Sequence, residues 1–346
     1  MTTNQSISPR TDGRSWRKDR RAGVPNHHVS SGEVLMVSAR ITSGNFPTPY
    51  LALRAGVDQE QVSAFADEQA DAARMLFWRL QMDVTPDATA RERCAAVAAT
   101  YERALAWRYA LARRGAIVGG VGNVGADAER FRTPITDDSP NLDRIGRVGR
   151  FYEGARWDAE TLTYVGGVDT RAARITEAYG RAALARFAAE CPGGEVLDNV
   201  VTLPDGARVT GNRLIRGETA RRAGAELAER VTARGLDASR MEIGGDPIYV
   251  VTATSRDRAV IREAALRLLA TAEPGDEQAW WQASYLLHQA PTYKKGSDAV
   301  TRVFRVAVGA WLLGYAPTLD QDTDLRCMVL GQTAATTLPH VCGGAA

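Results

Sequence analysis

The chain has 346 residues, 45 % of them apolar and 24 % charged, with a formal net charge of +2. This is ordinary globular composition, long enough for two domains and for a sizeable core without covalent staples. A charge so close to neutral gives no global electrostatic case for a nucleic-acid or membrane partner. Cys94, Cys191, Cys327 and Cys342 are far apart and form no C-x-x-C pair, so they read as reduced thiols in a cytoplasmic protein. No apolar run has the flanks of a secretory leader.

Residues 1–32 carry Arg10, Arg14, Arg17, Lys18, Arg20 and Arg21 without apolar periodicity, which predicts a disordered basic tail. Adjacent His27 and His28 have no further metal-type ligands nearby. Residues 33–194 read as a helical region. Phe65, Ala72, Met75, Leu76 and Leu80 give one long helix an apolar face, interrupted at Glu68 and Gln69. Asp83-Val-Thr-Pro-Asp87 predicts a break, with Thr85 capping the next helix and Pro86 in its first position. That helix runs through Val97, Tyr101, Leu105 and Ala112, and a turn so short should pack the two antiparallel. Residues 116–168 are glycine-rich and irregular. Within them Gly120-Val-Gly122-Asn-Val-Gly125 matches G-x-G-x-x-G, the fingerprint of an NAD(P) site. Only three strand-like residues precede it, and Pro134 cuts the following helix within about two turns. A helix resumes over 170–190.

Residues 195–272 read as a small α+β module. Pro204-Asp-Gly206 between two β-branched runs signals a hairpin, and a helix, a strand over 247–253 and another helix follow. Residues 273–338 are helical again, and 339–346 form a tail. The expected fold class is mainly α, a helical core with a small inserted α+β module. Val303 to Tyr315 is apolar but interrupted by Arg305 and too short to span a bilayer, so it reads as a buried core helix. Asp320-Gln-Asp322-Thr-Asp324 matches the start of a calcium loop. Leu325 stands at position six and Gly331 at position twelve, which excludes an EF-hand, and the acids read as helix-capping.

Only three lysines occur among 43 basic residues, and two are adjacent, Lys294 and Lys295. Where arginine is otherwise used throughout, a retained lysine pair suggests a need for a compact ammonium. The pair lies in Pro291-Thr-Tyr-Lys-Lys-Gly-Ser-Asp298, between two apolar helices, and Ser297 or Asp298 is placed to cap the second. Helix N–H groups beside two ammonium groups make a phosphate cradle; a solvated loop with a basic tip is the plainer reading. Trp281, Tyr285 and His288 share one face of the preceding helix. Arg302 and Arg305 lie near the start of the following one, where Asp298 and Arg302 have ion-pair spacing. Lys294, Gly296, Ser297, Arg305 and Tyr285 are the candidate binding residues for a nucleoside diphosphate or triphosphate, with or without Mg²⁺. His288, Lys295 and Arg302 are the candidate catalytic residues, with His288 as general base. No metal ligand set is assigned.

Helix, histidine, glycine-bearing loop and arginine-bearing core helix resemble the Fic family and its AvrB-like relatives, over about residues 276–315. The Fic pattern is H-x-F-x-x-G-N-G-R-x-x-R. Here Ala290 stands at the aromatic position, G-N-G is absent and the loop is longer; AvrB-like members depart from the pattern too. The resemblance implies transfer of AMP or a related phosphate-containing group to a hydroxyl of a protein or small molecule. It implies His288 as base, Gly296 and its neighbours as the anion-binding turn, and Arg302 as the phosphate-binding arginine. The hairpin at 199–210 corresponds to the flap that aligns a target in such enzymes. Two alternatives stand beside it: a non-catalytic helical module that binds an anionic partner, and an NAD(P)-dependent enzyme using Gly120–Gly125.

Overall fold

A computed structural model describes residues 39–118 and 127–337. The two tails, His27, His28, Cys342 and the Gly120–Gly125 motif lie outside the described residues.

Helix α1 (Gln59–Asp83) begins at Asp58, whose carboxylate accepts the amides of Glu60 at 2.9 Å and Gln61 at 3.4 Å, filling two orphan donors of the first turn. Its buried face is Val62, Gln69, Ala70, Ala72, Ala73, Leu76, Phe77 and Leu80. Met75, expected inside, is exposed, whereas Gln69 is buried. Helix α2 (Ala90–Val118) starts four residues later than Pro86 suggested. The cap is Thr89, whose amide and hydroxyl both donate to Glu92 at 2.7 Å while the Glu92 amide returns to Thr89 Oγ1 at 3.3 Å. That reciprocal capping box outcompetes the proline signal.

Helix α3 (Arg171–Glu190) precedes the hairpin β4 (Val196–Thr202) and β5 (Arg208–Ile215). Before α3 come three short strands: β1 (Leu142–Ile145), β2 (Arg156–Asp158) and β3 (Thr163–Val165). After the hairpin run α4 (Gly217–Thr232), β6 (Ile248–Val251) and α5 (Ser255–Thr271). Four helices follow: α6 (Glu277–Gln289), α7 (Ser297–Leu313), α8 (Thr323–Val329) and α9 (Gln332–Thr336). The fold is thus mainly helical with a small antiparallel sheet of order β1-β6-β5-β4. Strand β1 pairs with β6 from Leu142↔Val251 to Ile145↔Ile248. The sheet therefore takes an edge strand from the stretch read as irregular, outside residues 195–272. Four residues among glycines carry too little periodicity to be read locally; pairing with β6 makes them a strand.

Helices α1, α2, α5, α6 and α7 share one core. Helix α7 lies at its centre, with Val303, Phe304, Val306, Ala307, Val308 and Ala310 fully buried and Tyr101 edge-on to Phe304 at 5.2 Å. A helix apolar on nearly every side is a central one. A second core joins α3 and α8 to the sheet through Phe187, Leu214, Val250, Leu325 and Val329. Between the bundle, the edge of the sheet and α4, a cavity remains. No described helix is long and apolar enough to cross a membrane.

Candidate functional site: a cavity with two charged ends

The cavity encloses about 1110 Å³, at the upper end of small-molecule sites. Its wall includes the Tyr293–Asp298 loop, whose backbone is tied down although Lys295 itself is exposed. The Lys294 amide donates to Thr133 O at 3.0 Å, the Ile135 amide to Thr292 O at 3.2 Å and Asn141 Nδ2 to Lys294 O at 3.4 Å. The segment is thereby laced to residues 133–141.

Gly296, not Ser297 or Asp298, caps α7. Its φ of 81° is left-handed, and a Cβ there would lie 2.7 Å from Phe131 Cδ1 and 2.8 Å from Arg108 Cγ. Only glycine fits. Ser297 Oγ donates back to Tyr293 O at 3.2 Å, and among the described residues no side chain caps the first-turn amides of α7. This helix end, with its partial positive charge, forms part of the cavity wall through Gly296, Ser297, Asp298 and Thr301.

Arg130, Arg230, Arg234, Lys294 and Lys295 line one end. Among the described residues none of these five makes an ion pair. Lys294 Nζ donates to the carbonyl and hydroxyl of Ser139, and Arg230 Nη1 to the same hydroxyl at 3.2 Å. Burial, then the charges of Arg230 and Arg130, lower the Lys294 ammonium to about 8. Burial and Arg130 lower Lys295 as well, against the opposing pull of Asp143.

The other end holds Asp143 from β1, Asp298 from α7, Asp324 from α8 and the ring of Tyr50. Asp143 is exposed by surface area and faces the cavity, with protein packed around the rest of it. Burial raises its carboxyl, and Lys295 and Arg150 offset part of that rise. Burial also raises Asp298, offset by Arg302 and Arg305, and raises Asp324 further, with Asp298 adding to the effect. Asp143 is the member of the acidic end that senses Lys295, and its charge adds to the rise of Asp324. Among the described residues no three His, Cys, Asp or Glu side chains group to hold a metal ion. The Asp320–Asp324 run is spent separately: Asp322 accepts from Tyr179 at 2.9 Å, Asp320 faces Arg326 at 3.8 Å, and only Asp324 enters the cavity wall.

Of the residues singled out in the sequence, His288, Lys294, Lys295, Gly296 and Ser297 line the cavity, and Tyr285, Arg302 and Arg305 do not. Arg302 is buried and donates Nη2 to Pro47 O; among the described residues no ion pair joins it to Asp298. The Arg305 guanidinium makes no hydrogen bond with any described residue. It stacks on Trp280 at 4.3 Å and Trp281 at 5.3 Å, behind the wall. Tyr285 is fully buried. His288 presents its ring to the cavity, but Nδ1 is 2.8 Å from Ser284 O and Nε2 is enclosed with no hydrogen-bond partner among the described residues. Burial, then Arg305, drop its pKa to about 3. An enclosed lone pair of such low basicity is poorly suited to take a proton from a substrate.

Arg130, Arg230, Arg234, Asp143 and Tyr50 did not stand out in the sequence, and Asp324 did so only as part of the Asp320–Asp324 run. They come from segments scattered between residues 50 and 324, and no local spacing links them. No family model matches the sequence, and no curated protein matches it.

Proposed function

We propose that the chain is a phosphate-dependent transferase. The cationic end of its cavity holds the phosphates of a nucleoside diphosphate or triphosphate, and an acceptor hydroxyl enters beside Asp143. The observation that carries the reading is the gathering of Lys294, Lys295, Arg130, Arg230 and Arg234 at the α7 end, unpaired with any described carboxylate. Two ammonium groups, three guanidiniums and free helix amides suit a polyphosphate.

In this scheme the acceptor oxygen attacks phosphorus and the bond from phosphorus to the leaving phosphate oxygen breaks. The hydroxyl proton passes to the Asp143 carboxylate, and Lys294 and Lys295 stabilise the charge on the leaving group. A carboxyl raised by burial is a better base than an ordinary aspartate. Compared with the Fic resemblance, the phosphate-holding loop and α7 N-terminus are kept. The base moves from His288 to Asp143, and Arg302 supports the wall from behind.

A thermal-shift series with pyrophosphate, ATP, GTP, UTP and NAD at constant ionic strength tests the reading. A ligand at about 100 times its Kd adds about 2.7 kcal/mol, a rise of roughly 5 °C or more for a chain of this size. The rise should occur with polyphosphates and vanish in Lys295→Ala. Asp143→Asn should keep it while losing transfer, followed by ³¹P NMR. Stabilisation by NAD alone favours the dinucleotide alternative. Binding of polyphosphates without turnover against any hydroxyl acceptor favours an anion-binding module.

A further inference from the structure

Among the described residues no cation makes an ion pair with the carboxyls at the acidic end of the cavity. Asp143, Asp298 and Asp324 line it together with Tyr50. The Tyr50 side chain is only 7 % exposed, yet its hydroxyl has no hydrogen-bond partner among the described residues. Tyr50 lines the cavity, where a bound molecule can complete that hydroxyl. The cations nearest the acids do not supply a partner inside the cavity. Arg302 is spent on Pro47 O, Arg305 is stacked on Trp280, Arg150 lies over the Phe151 ring at 5.3 Å, and Lys295 belongs to the opposite end.

Three carboxyls in one enclosure call for positive charge. A divalent ion needs oxygens converging at about 2.0–2.6 Å, and among the described residues no such grouping exists. An ammonium tolerates wider spacing, since its three N–H groups reach separate acceptors at about 2.8 Å. Resting on the transferase reading above, we propose that the acceptor is a small amino alcohol. Its cationic nitrogen is held by Asp298 and Asp324 with the Tyr50 hydroxyl, which sets its own hydroxyl beside Asp143. The enclosed volume accommodates a small molecule together with a polyphosphate, and the opposite charges of the two ends order them: phosphate toward Lys294 and Lys295, amine toward Asp298 and Asp324.

The test uses the full chain and two near-isosteric probes, 2-amino-1,3-propanediol and glycerol, with binding read by ligand-observed NMR with and without pyrophosphate. The amine should bind at least about tenfold more tightly than glycerol. The preference should disappear in Asp298→Asn and Asp324→Asn and fall several-fold in Tyr50→Phe, which removes only the hydroxyl. Pyrophosphate binding in each variant reports separately on folding and on the cationic end. Equal binding of the two probes to a chain that binds pyrophosphate overturns the proposal and leaves the transferase reading standing. Amine preference without pyrophosphate binding keeps the cation site and sinks the transferase reading. Three further results overturn the proposal: an amine preference unchanged in all three variants, tight Mg²⁺ or Ca²⁺ binding lost in Asp324→Asn, or selection of a basic peptide over the small amine.

Discussion

Gly296→Ala perturbs the turn on which the cationic end is built. Two costs can be worked from the geometry. A non-glycine residue at φ 81° costs about 1–2 kcal/mol. The new methyl would sit 2.7 Å from the Phe131 ring and 2.8 Å from the Arg108 stem, well inside contact distance, and Arg108 is itself stacked on Phe131 at 4.1 Å. Overpacking of this kind costs about 1–3 kcal/mol. The sum, about 2–5 kcal/mol, lowers the Tm by roughly 5–10 °C in calorimetry. Gly206→Ala is the internal control. Its φ is 86°, but nothing lies within 4 Å of the added methyl, so only the backbone cost remains and the drop is about half as large or less. Pyrophosphate affinity should fall in Gly296→Ala, because the strain displaces Lys295 and the α7 amides, and should be unchanged in Gly206→Ala. Equal Tm drops in the two variants, or full pyrophosphate affinity in Gly296→Ala, would refute the reasoning.

His288 makes stability depend on pH with a defined sign. Its folded pKa of about 3 lies below its ordinary value near 6.5, so the unfolded chain binds the extra proton. The associated stability is full above pH 6.5 and is lost as pH falls toward 3, by about 1.5–2 kcal/mol between pH 6.5 and 5. Urea titrations of the wild type and His288→Asn should differ by that slope, and parallel curves would contradict it. In Arg305→Met the histidine titration, followed by NMR, should move upward because the second-largest cause of its depression is gone; an unmoved titration would place Arg305 outside its field. Lys294, near 8, should take up as much as about half a proton when pyrophosphate binds at pH 8, since the anion raises it. Calorimetry in buffers of different ionisation enthalpy reads that uptake, and affinity should decline above pH 8. Binding without proton uptake would remove Lys294 from the site.

The helices were legible because each carries its own signal over many residues. The α7 stretch was apolar on nearly every side, Thr170 stood where a cap should, and Pro204-Asp-Gly206 marked the hairpin. Local competition hid other features. Thr89 and Glu92 outcompeted Pro86 for the start of α2, and β1 exists only because β6 lies beside it. The same division holds for the site. Lys294, Lys295 and Gly296 were conspicuous because they adjoin in sequence at a helix start. Arg130, Arg230 and Asp143 meet only through tertiary packing, so nothing local announced them, and the Asp320–Asp324 run did not tell which of its acids would reach the cavity. Arg302 and Arg305 were misleading because helix position tells which turn a side chain leaves, not whether it reaches the cavity or the tryptophans behind it.

The central claim is that the Lys294–Lys295 end of the cavity holds a polyphosphate. A crystal structure of the chain with pyrophosphate tests it most directly. The account predicts the anion at the first-turn amides of α7, within hydrogen-bond reach of Lys294 and Lys295 and facing Arg130 or Arg230. Pyrophosphate bound elsewhere, or the five cations turned out to bulk solvent with the cavity empty, would contradict it.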